Sequence, residues 1–80
     1  MFDRKIFASR IKELRNSRGI SQEELGTIMK VSKQAISEIE REHKTTTIEK
    51  LVELANYFDV SADYLLGRTD DPAFKKRKED

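Results

Sequence analysis

Two signals for the start of a helix lie close together near the middle of the chain. Ser21 and Glu24 have the spacing of a capping box, in which each side chain satisfies a backbone N–H of the other residue. Ser32 follows as a second good N-cap, so the helix between these signals is short and the connection after it is tight. Two short helices joined in this way cross at a large angle and need a small residue where their axes approach, and Gly26 supplies it.

Apolar residues at three- and four-residue spacing predict further helices on both sides of this pair. Phe7, Ile11 and Leu14 form one face of a first helix from about Arg4 to Ser17, and Gly19 is a natural stop. The second helix is predicted to bury Leu25, Ile28 and Met29, and the third helix, which runs to about Arg41, is predicted to bury Ile36 and Ile39.

Two more helices are indicated in the second half of the chain. Thr46 and Glu49 repeat the capping-box spacing before the apolar positions of a fourth helix. Ser61 can cap a short fifth helix, which Gly67 can end in a left-handed conformation. The sequence therefore predicts an all-α fold of five helices.

Eighty residues are enough for one small domain, which we place in residues 1–67. Residues 68–80 are polar, and we expect little order there. The absence of cysteine and the presence of a single histidine exclude disulfides, thiolate metal sites and imidazole clusters. No apolar segment is long enough to span a bilayer, so we expect a cytoplasmic protein without metal, cofactor or membrane contact.

The charge is unevenly distributed along the chain. The formal net charge is +1, but residues 1–20 carry six basic and two acidic groups, which gives +4 (6 − 2). A positive N-terminal region of this kind is compatible with a polyanionic partner, although charged chains of this length also show such asymmetry by chance.

The predicted third helix has a continuous polar face. At about 100° per residue, one arc of the helix collects a cation, an amide, a hydroxyl, a carboxylate and a guanidinium, from Lys33, Gln34, Ser37, Glu38 and Arg41. These groups can discriminate base edges in the major groove of DNA, and an ordinary solvated helix face is the alternative interpretation. Glu40 lies at the edge of the opposite, buried arc, where an unpaired carboxylate would be costly.

The sequence resembles the Cro/repressor-type helix-turn-helix family, the lambda-repressor-like DNA-binding domains. The resemblance extends from about Phe7 to Gly67 and is carried by RIKELRNSRGISQEEL, VSKQAISEIE and IEKLVELANYFDVSADYLLG. It implies a five-helix domain with a central helix-turn-helix, whose third helix enters the major groove of double-stranded DNA. It also implies a homodimer on a palindromic operator.

The resemblance assigns roles to individual residues. The residues implied to read bases are Ser32, Lys33, Gln34, Ser37 and Glu38. The residues expected to contact phosphates, through side chains and loop amides, are Arg10, Gln22, Arg41, His43, Lys44 and Thr45. In the family, the glutamine at the position of Gln22 also braces the third helix, which is the helix that reads the bases. Arg15 and Glu40 match a partly buried salt bridge that joins the first and third helices.

Two departures from the family pattern concern the backbone. Lys30 stands where the family often has a glycine in the turn, so we expect the turn to differ locally, because a left-handed lysine costs on the order of 1 kcal/mol. The loop over residues 42–47 lacks the usual Gly and Pro, which weakens the expected phosphate contacts there.

The function predicted from the sequence is that of a DNA-binding transcriptional regulator, a prokaryotic or phage repressor. The rival is a protein-interaction module on the same fold, similar to an antitoxin or an anti-repressor, which a net charge of only +1 leaves open. An enzyme is not expected, because the chain has no glycine-rich phosphate loop and no evident catalytic set.

Overall fold

The computed structural model of the chain describes residues 2–73. Five helices occur within these residues: α1 (Arg4–Ser17), α2 (Gln22–Met29), α3 (Lys33–Glu40), α4 (Ile48–Phe58) and α5 (Ala62–Leu65). The extended pairing found in this part of the chain is one isolated bridge between Val60 and Ala73. The predicted all-α, five-helix fold is confirmed, and α1 has the bounds that its periodicity indicated.

A polar side chain caps the start of each of these helices by accepting a hydrogen bond from a backbone N–H two or three residues later. The caps, in chain order, are Asp3, Ser21, Ser32, Thr47 and Ser61. The predicted capping box of α2 is complete: Ser21 N–H donates to Glu24 Oε1 at 2.7 Å, and Glu24 N–H donates to Ser21 Oγ at 3.0 Å.

α4 begins one residue later than the sequence indicated. Thr47, rather than Thr46, is the N-cap, and its Oγ1 accepts from Lys50 N–H at 3.1 Å. Glu49 therefore lies in the first turn, where its negative charge complements the positive end of the helix dipole. The predicted capping box of Thr46 and Glu49 is wrong by this one-residue shift.

Each of the five helices in residues 2–73 is followed by a residue with a left-handed backbone, which reverses the chain direction. α1 and α5 use Gly19 and Gly67, at φ +67° and +81°, in agreement with the predictions. Lys30, Glu42 and Asp59 take the same role after α2, α3 and α4, at φ 61°, 68° and 58°. A left-handed conformation costs an L-residue other than glycine about 1 to 2 kcal/mol, so the turns after α2, α3 and α4 are strained.

The turn after α2 keeps the left-handed geometry in spite of its lysine. Val31 N–H donates to the Gly26 carbonyl at 2.8 Å, and Lys30 N–H donates to the Thr27 carbonyl at 3.2 Å, which are the two bonds of a Schellman motif. Our expectation of a locally different turn is therefore wrong, because these bonds and the packing of Val31 against the core hold Lys30 in place.

Gly26 is the point of closest approach between α2 and α3, as the sequence predicted. A Cβ atom at this position would lie 2.8 Å from the Val31 carbonyl oxygen and 3.2 Å from the Ser32 carbonyl carbon. These neighbours are backbone atoms and cannot swing aside. A side chain larger than hydrogen would therefore push the third helix away from the second.

The core lies between the helices and is entirely apolar. Its members are Phe7, Ile11, Leu25, Met29, Ile36, Ile39, Leu54, Ala55, Phe58, Val60 and Leu65. One predicted core residue is absent from it: Ile28 is 39% exposed. The buried stripe of α2 runs through Leu25, Gly26 and Met29, so Ile28 lies on the flank of the helix, and its predicted burial is wrong.

A buried ion pair joins the C-terminal end of α1 to the C-terminal end of α3, beside the start of α2. Arg15 Nε donates to Glu40 Oε2 at 2.7 Å and Arg15 Nη2 donates to Oε1 at 3.0 Å, with side chains only 11% and 3% exposed. Gln22 Nε2 adds a bond to Glu40 Oε1 at 3.0 Å, and Arg15 Nη1 donates to the Ile20 carbonyl at 2.8 Å. The predicted bridge is therefore present, and the hydrogen bond with Glu40 raises the pKa of Arg15.

Residues 68–73 pack back onto the domain, which corrects the boundary that we placed at Gly67. Ser61 N–H donates to the Pro72 carbonyl at 3.2 Å, next to the bridge between Val60 and Ala73. These contacts do not favour the expectation of little order in this segment, which stays a prediction. Residues 74–80, the rest of the predicted tail, lie outside the described residues.

Removing the charge of Glu40 tests the buried ion pair. Glu40→Gln leaves the Arg15 guanidinium buried without a counter-charge, and we expect the free energy of unfolding to fall by about 3 kcal/mol. Urea denaturation measures this loss. Glu13→Gln, on the exposed face of α1, is the matched control and should change stability by less than about 0.5 kcal/mol. Equal stability of Glu40→Gln and the control would show that the pair contributes nothing.

Replacing the left-handed lysine with glycine tests the strain in the turn. Lys30→Gly should raise the free energy of unfolding by about 0.5 to 1 kcal/mol, since the relief of strain exceeds the extra chain entropy of glycine. The corresponding change on a right-handed helix, Lys12→Gly, should lower it by about 1 kcal/mol. Thermal melts of both variants give the comparison, and a destabilised Lys30→Gly would contradict the strain argument.

Candidate nucleic-acid interface

The outer face of α3 carries the side chains that the helical wheel placed together. Ile36 and Ile39 are buried at 1% and 5% exposure and hold the inner face against the core. Lys33 and Gln34 are exposed, and Ser37 and Glu38 are half-buried. The helix therefore presents a polar surface outward from the packed body, as a helix that enters a DNA groove must do.

Ser32 has a structural role in addition to its position on this surface. Its Oγ accepts a hydrogen bond from Ala35 N–H at 3.0 Å and so caps α3. The hydroxyl hydrogen remains for a base or phosphate acceptor. Ser32 is exposed, so this donor can be approached from outside.

One carboxylate on the outer face connects two other candidate residues. Gln34 Nε2 donates to Glu38 Oε2 at 3.4 Å, one helical turn away, and Lys44 Nζ lies 3.3 Å from Glu38 Oε1. The hydrogen bond from Lys44, and after it the one from Gln34, lowers the pKa of Glu38. The carboxylate is therefore ionised at neutral pH.

The loop after α3 is anchored to the same residue by its backbone. His43 N–H and Lys44 N–H both donate to the Glu38 carbonyl, at 2.9 and 3.2 Å. These two amides cap the end of the helix and already have an acceptor, so the predicted phosphate contacts of this loop stay a prediction for its side chains. The side chains of Arg41, His43, Lys44 and Thr45 are exposed beside α3, where phosphate contacts can be made.

Gln22 lies at the start of α2 and reaches the end of α3. Its bond to Glu40 Oε1, at 3.0 Å, is the brace that the family resemblance implied. Gln22 is half-buried and is the first residue of α2, at the end of the helix that favours an anion. A phosphate contact of Gln22 stays a prediction.

Arg10 has a different role from the predicted phosphate contact. Its guanidinium donates to the carbonyls of Tyr64 and Thr69 at 2.6 and 2.7 Å and to Asp70 Oδ1 at 2.9 Å. It also lies 4.1 Å from the centroid of the Tyr64 ring. Because its donors are directed to α5 and to residues 68–73, we replace the phosphate contact of Arg10 with a structural role.

Lys50 is a residue near the site that our sequence analysis missed. Its Nζ donates to the Met29 carbonyl at 2.7 Å, and so fastens α4 to the C-terminal end of α2, where a cation is favourable. No spacing rule pairs residues 21 positions apart on different helices. The contact between Gln34 and Glu38, in contrast, has the four-residue spacing of a helical pair and could have been predicted.

Neither a metal-ligand group nor a membrane-spanning helix occurs in the described part of the chain. Residues 2–73 contain no group of three or more His, Cys, Asp or Glu side chains that could hold a metal ion. None of the helices in this range is long and apolar enough to cross a membrane.

Comparison with known proteins agrees with this geometry. The helix-turn-helix family model matches residues 11–65. The chain is 37% identical over 67 residues to the uncharacterized HTH-type transcriptional regulator YobD of Bacillus subtilis, with 84% of this chain and 60% of YobD covered. It is 34% identical over 71 residues to the HTH-type transcriptional regulator ImmR of the same organism, with 89% of this chain and 54% of ImmR covered. The chain thus spans less than two thirds of either relative.

Two solved structures have a similar fold. The restriction-modification controller protein C.AhdI of Aeromonas hydrophila superposes with a TM-score of 0.70 and 27% identity, over 79% of this chain and 96% of that protein. A hypothetical transcription factor from Neisseria, NHTF, superposes with a TM-score of 0.71 and 27% identity, over 79% of this chain and 72% of that protein. The family model, the helix order and the outward polar face of α3 agree, and the chain belongs to the Cro/repressor-type helix-turn-helix family.

Proposed function

We propose that this chain binds a specific DNA sequence and regulates transcription, as a prokaryotic or phage repressor on a palindromic operator. The observation that carries the proposal is the polar face of α3, which a buried ion pair and two buried isoleucines hold outward. The names of the relatives YobD and ImmR as transcriptional regulators support it. We place the protein in the cytoplasm, where such DNA lies, and we expect no enzymatic activity.

In the proposed complex, one set of side chains contacts bases and another contacts phosphates. Lys33, Gln34 and Ser37, on the outer face of α3, would read base edges in the major groove. Arg41 and the loop side chains beside it, with the N-terminus of α2, would contact phosphates and set the register on the duplex. The phosphate contacts supply most of the strength, and the base contacts supply the choice of sequence.

Exposed apolar side chains support a homodimer. Ile48 is 79% exposed, Val52 is one turn farther along α4, and Phe2 lines the same groove as Ile48. Surfaces with several large apolar side chains are typical of protein contacts. A second copy of this chain on this surface would give the two-fold symmetry that a palindromic operator requires.

The same surface is the observation that favours the alternative function. An apolar groove of about 670 Å³, lined in part by Phe2 and Ile48, could hold another protein instead of a second copy. The domain would then be an interaction module similar to an antitoxin or an anti-repressor. This alternative does not need the polar face of α3 to contact DNA.

Selection from a pool of randomised duplex DNA separates the two functions. Recovery of a two-fold-symmetric sequence supports the regulator, and the spacing of its half-sites reports the geometry of the dimer. A pool that remains unenriched at low salt contradicts the regulator and favours the interaction module.

The salt dependence of binding is a further test of the docking geometry. If a dimer neutralises about six phosphates, its affinity for the selected duplex should fall about a thousandfold between 50 and 200 mM salt. Fluorescence anisotropy at several salt concentrations gives the slope. A flat dependence would contradict phosphate contacts around α3.

Single substitutions test the assignment of base contacts and phosphate contacts to different side chains. Gln34→Ala should relax the preference at one base pair per half-site by about 1 to 3 kcal/mol, because a bidentate base contact is lost. Arg41→Ala should weaken binding to matched and scrambled duplexes alike, because phosphates carry no sequence information. Binding measured on both duplexes for both variants makes the comparison, and equal profiles of the two variants would reject the assignment.

A further inference from the structure

We propose that Lys44 and Glu38 are positioning residues that orient the side-chain amide of Gln34 to read adenine. The inference rests on the proposed function, since it concerns how the base-reading face is organised. It also changes two earlier assignments. Lys44 becomes the counter-charge of Glu38 in place of a phosphate contact, and Glu38 becomes the orienting group of its neighbour in place of a direct base reader.

The two oxygens of one carboxylate have different partners. Glu38 Oε2 accepts from Gln34 Nε2 at 3.4 Å, and Glu38 Oε1 lies 3.3 Å from Lys44 Nζ. The lysine therefore holds one oxygen, and the other oxygen faces the amide. Without the lysine, the carboxylate is free to rotate toward solvent.

The backbone of the loop after α3 fixes the position of Lys44 relative to Glu38. Glu42, at φ +68°, turns the chain so that both His43 N–H and Lys44 N–H donate to the Glu38 carbonyl. The backbone of Lys44 is thus anchored to the residue whose carboxylate its side chain meets. A lysine elsewhere in a mobile loop would have no such fixed starting point for its long side chain.

The chemistry of the carboxylate determines which end of the amide faces it. An ionised carboxylate only accepts hydrogen bonds, so Gln34 must direct its NH₂ group toward Glu38. The amide oxygen and the second N–H of that group then face outward. Adenine presents an N6 donor and an N7 acceptor in the major groove, which match this oxygen and this N–H. Guanine presents the acceptor O6 in place of the N6 donor and would be rejected.

Two substitutions separate orientation from charge. Lys44→Gln removes a positive charge near the DNA, so it should weaken binding to every duplex. Glu38→Gln removes a negative charge, so it should strengthen binding to every duplex. Lys44→Gln frees the carboxylate to rotate, and the amide of Glu38→Gln can turn either its oxygen or its NH₂ group toward Gln34. Both variants therefore loosen the orientation of Gln34, and both should lose discrimination in the same direction, at the base pair that Gln34→Ala affects.

The experiment uses the duplex that the unaltered chain enriches from a randomised pool, together with versions changed at each base pair in turn. Gln34→Ala should lose about 5- to 150-fold of its preference for adenine at one position per half-site. Lys44→Gln and Glu38→Gln should each lose on the order of fivefold at that position, and Lys44→Arg should keep the preference. Arg41→Gln is the matched control, and it should reduce all affinities and leave the preference unchanged. Thermal melts confirm that each variant is folded.

Three outcomes would overturn the inference. In the first, Lys44→Gln and Glu38→Gln keep the preference that Gln34→Ala loses. In the second, the slope of affinity against salt falls for Lys44→Gln as much as for Arg41→Gln, by about 0.9 per phosphate contact, and its base preference is unchanged. In the third, the unaltered chain enriches no sequence. That result overturns the proposed function itself, and so it is distinct from the first two, in which a specific sequence is bound.

Discussion

The buried carboxylate of Glu40 is the constraint on which the orientation of α3 depends. An ionised group at 3% exposure must be paired, and Arg15 and Gln22 occupy its two oxygens from α1 and α2. Three helices therefore meet at one carboxylate, and none can rotate without leaving a charge or a donor unsatisfied. Replacing a buried ion pair with well-packed apolar residues is often neutral or stabilising, whereas removing one partner leaves an uncompensated buried charge.

The backbone around α3 complements this polar anchor. An eight-residue helix is too short to be stable in isolation, so its ends and inner face must be held by the rest of the domain. Gly26 allows the close crossing with α2, Ser32 caps the start, and Glu42 reverses the chain at the end. The left-handed glutamate is strained, and the same turn brings Lys44 to Glu38. Local strain and the proposed base-reading geometry thus share one segment of backbone.

The candidate site could be predicted in part, and the errors have common causes. The exposed face of α3 and the pairing of Arg15 with Glu40 follow from helical periodicity and from the family pattern. The role of Arg10 could not be predicted, because its partners are carbonyl groups of α5 and of the segment after it, some 54 to 60 positions away. Every residue has a backbone carbonyl, so the sequence does not distinguish an arginine that binds distant carbonyls from one that is exposed to solvent. Ile28 was misplaced because an eight-residue helix offers too few turns to define the centre of its buried stripe.

The sequence by itself determined the number and order of the helices, since caps and apolar spacing act over only a few residues. It also determined that Gly26 faces a close neighbour, because the tight connection leaves no alternative. Only the tertiary structure decided which polar groups meet: Glu38 with Lys44, Lys50 with Met29, and Arg10 with the chain beyond α5. Local signals fix each helix by itself, whereas such contacts depend on the crossing angles between helices, and those angles come from the packing of the whole core.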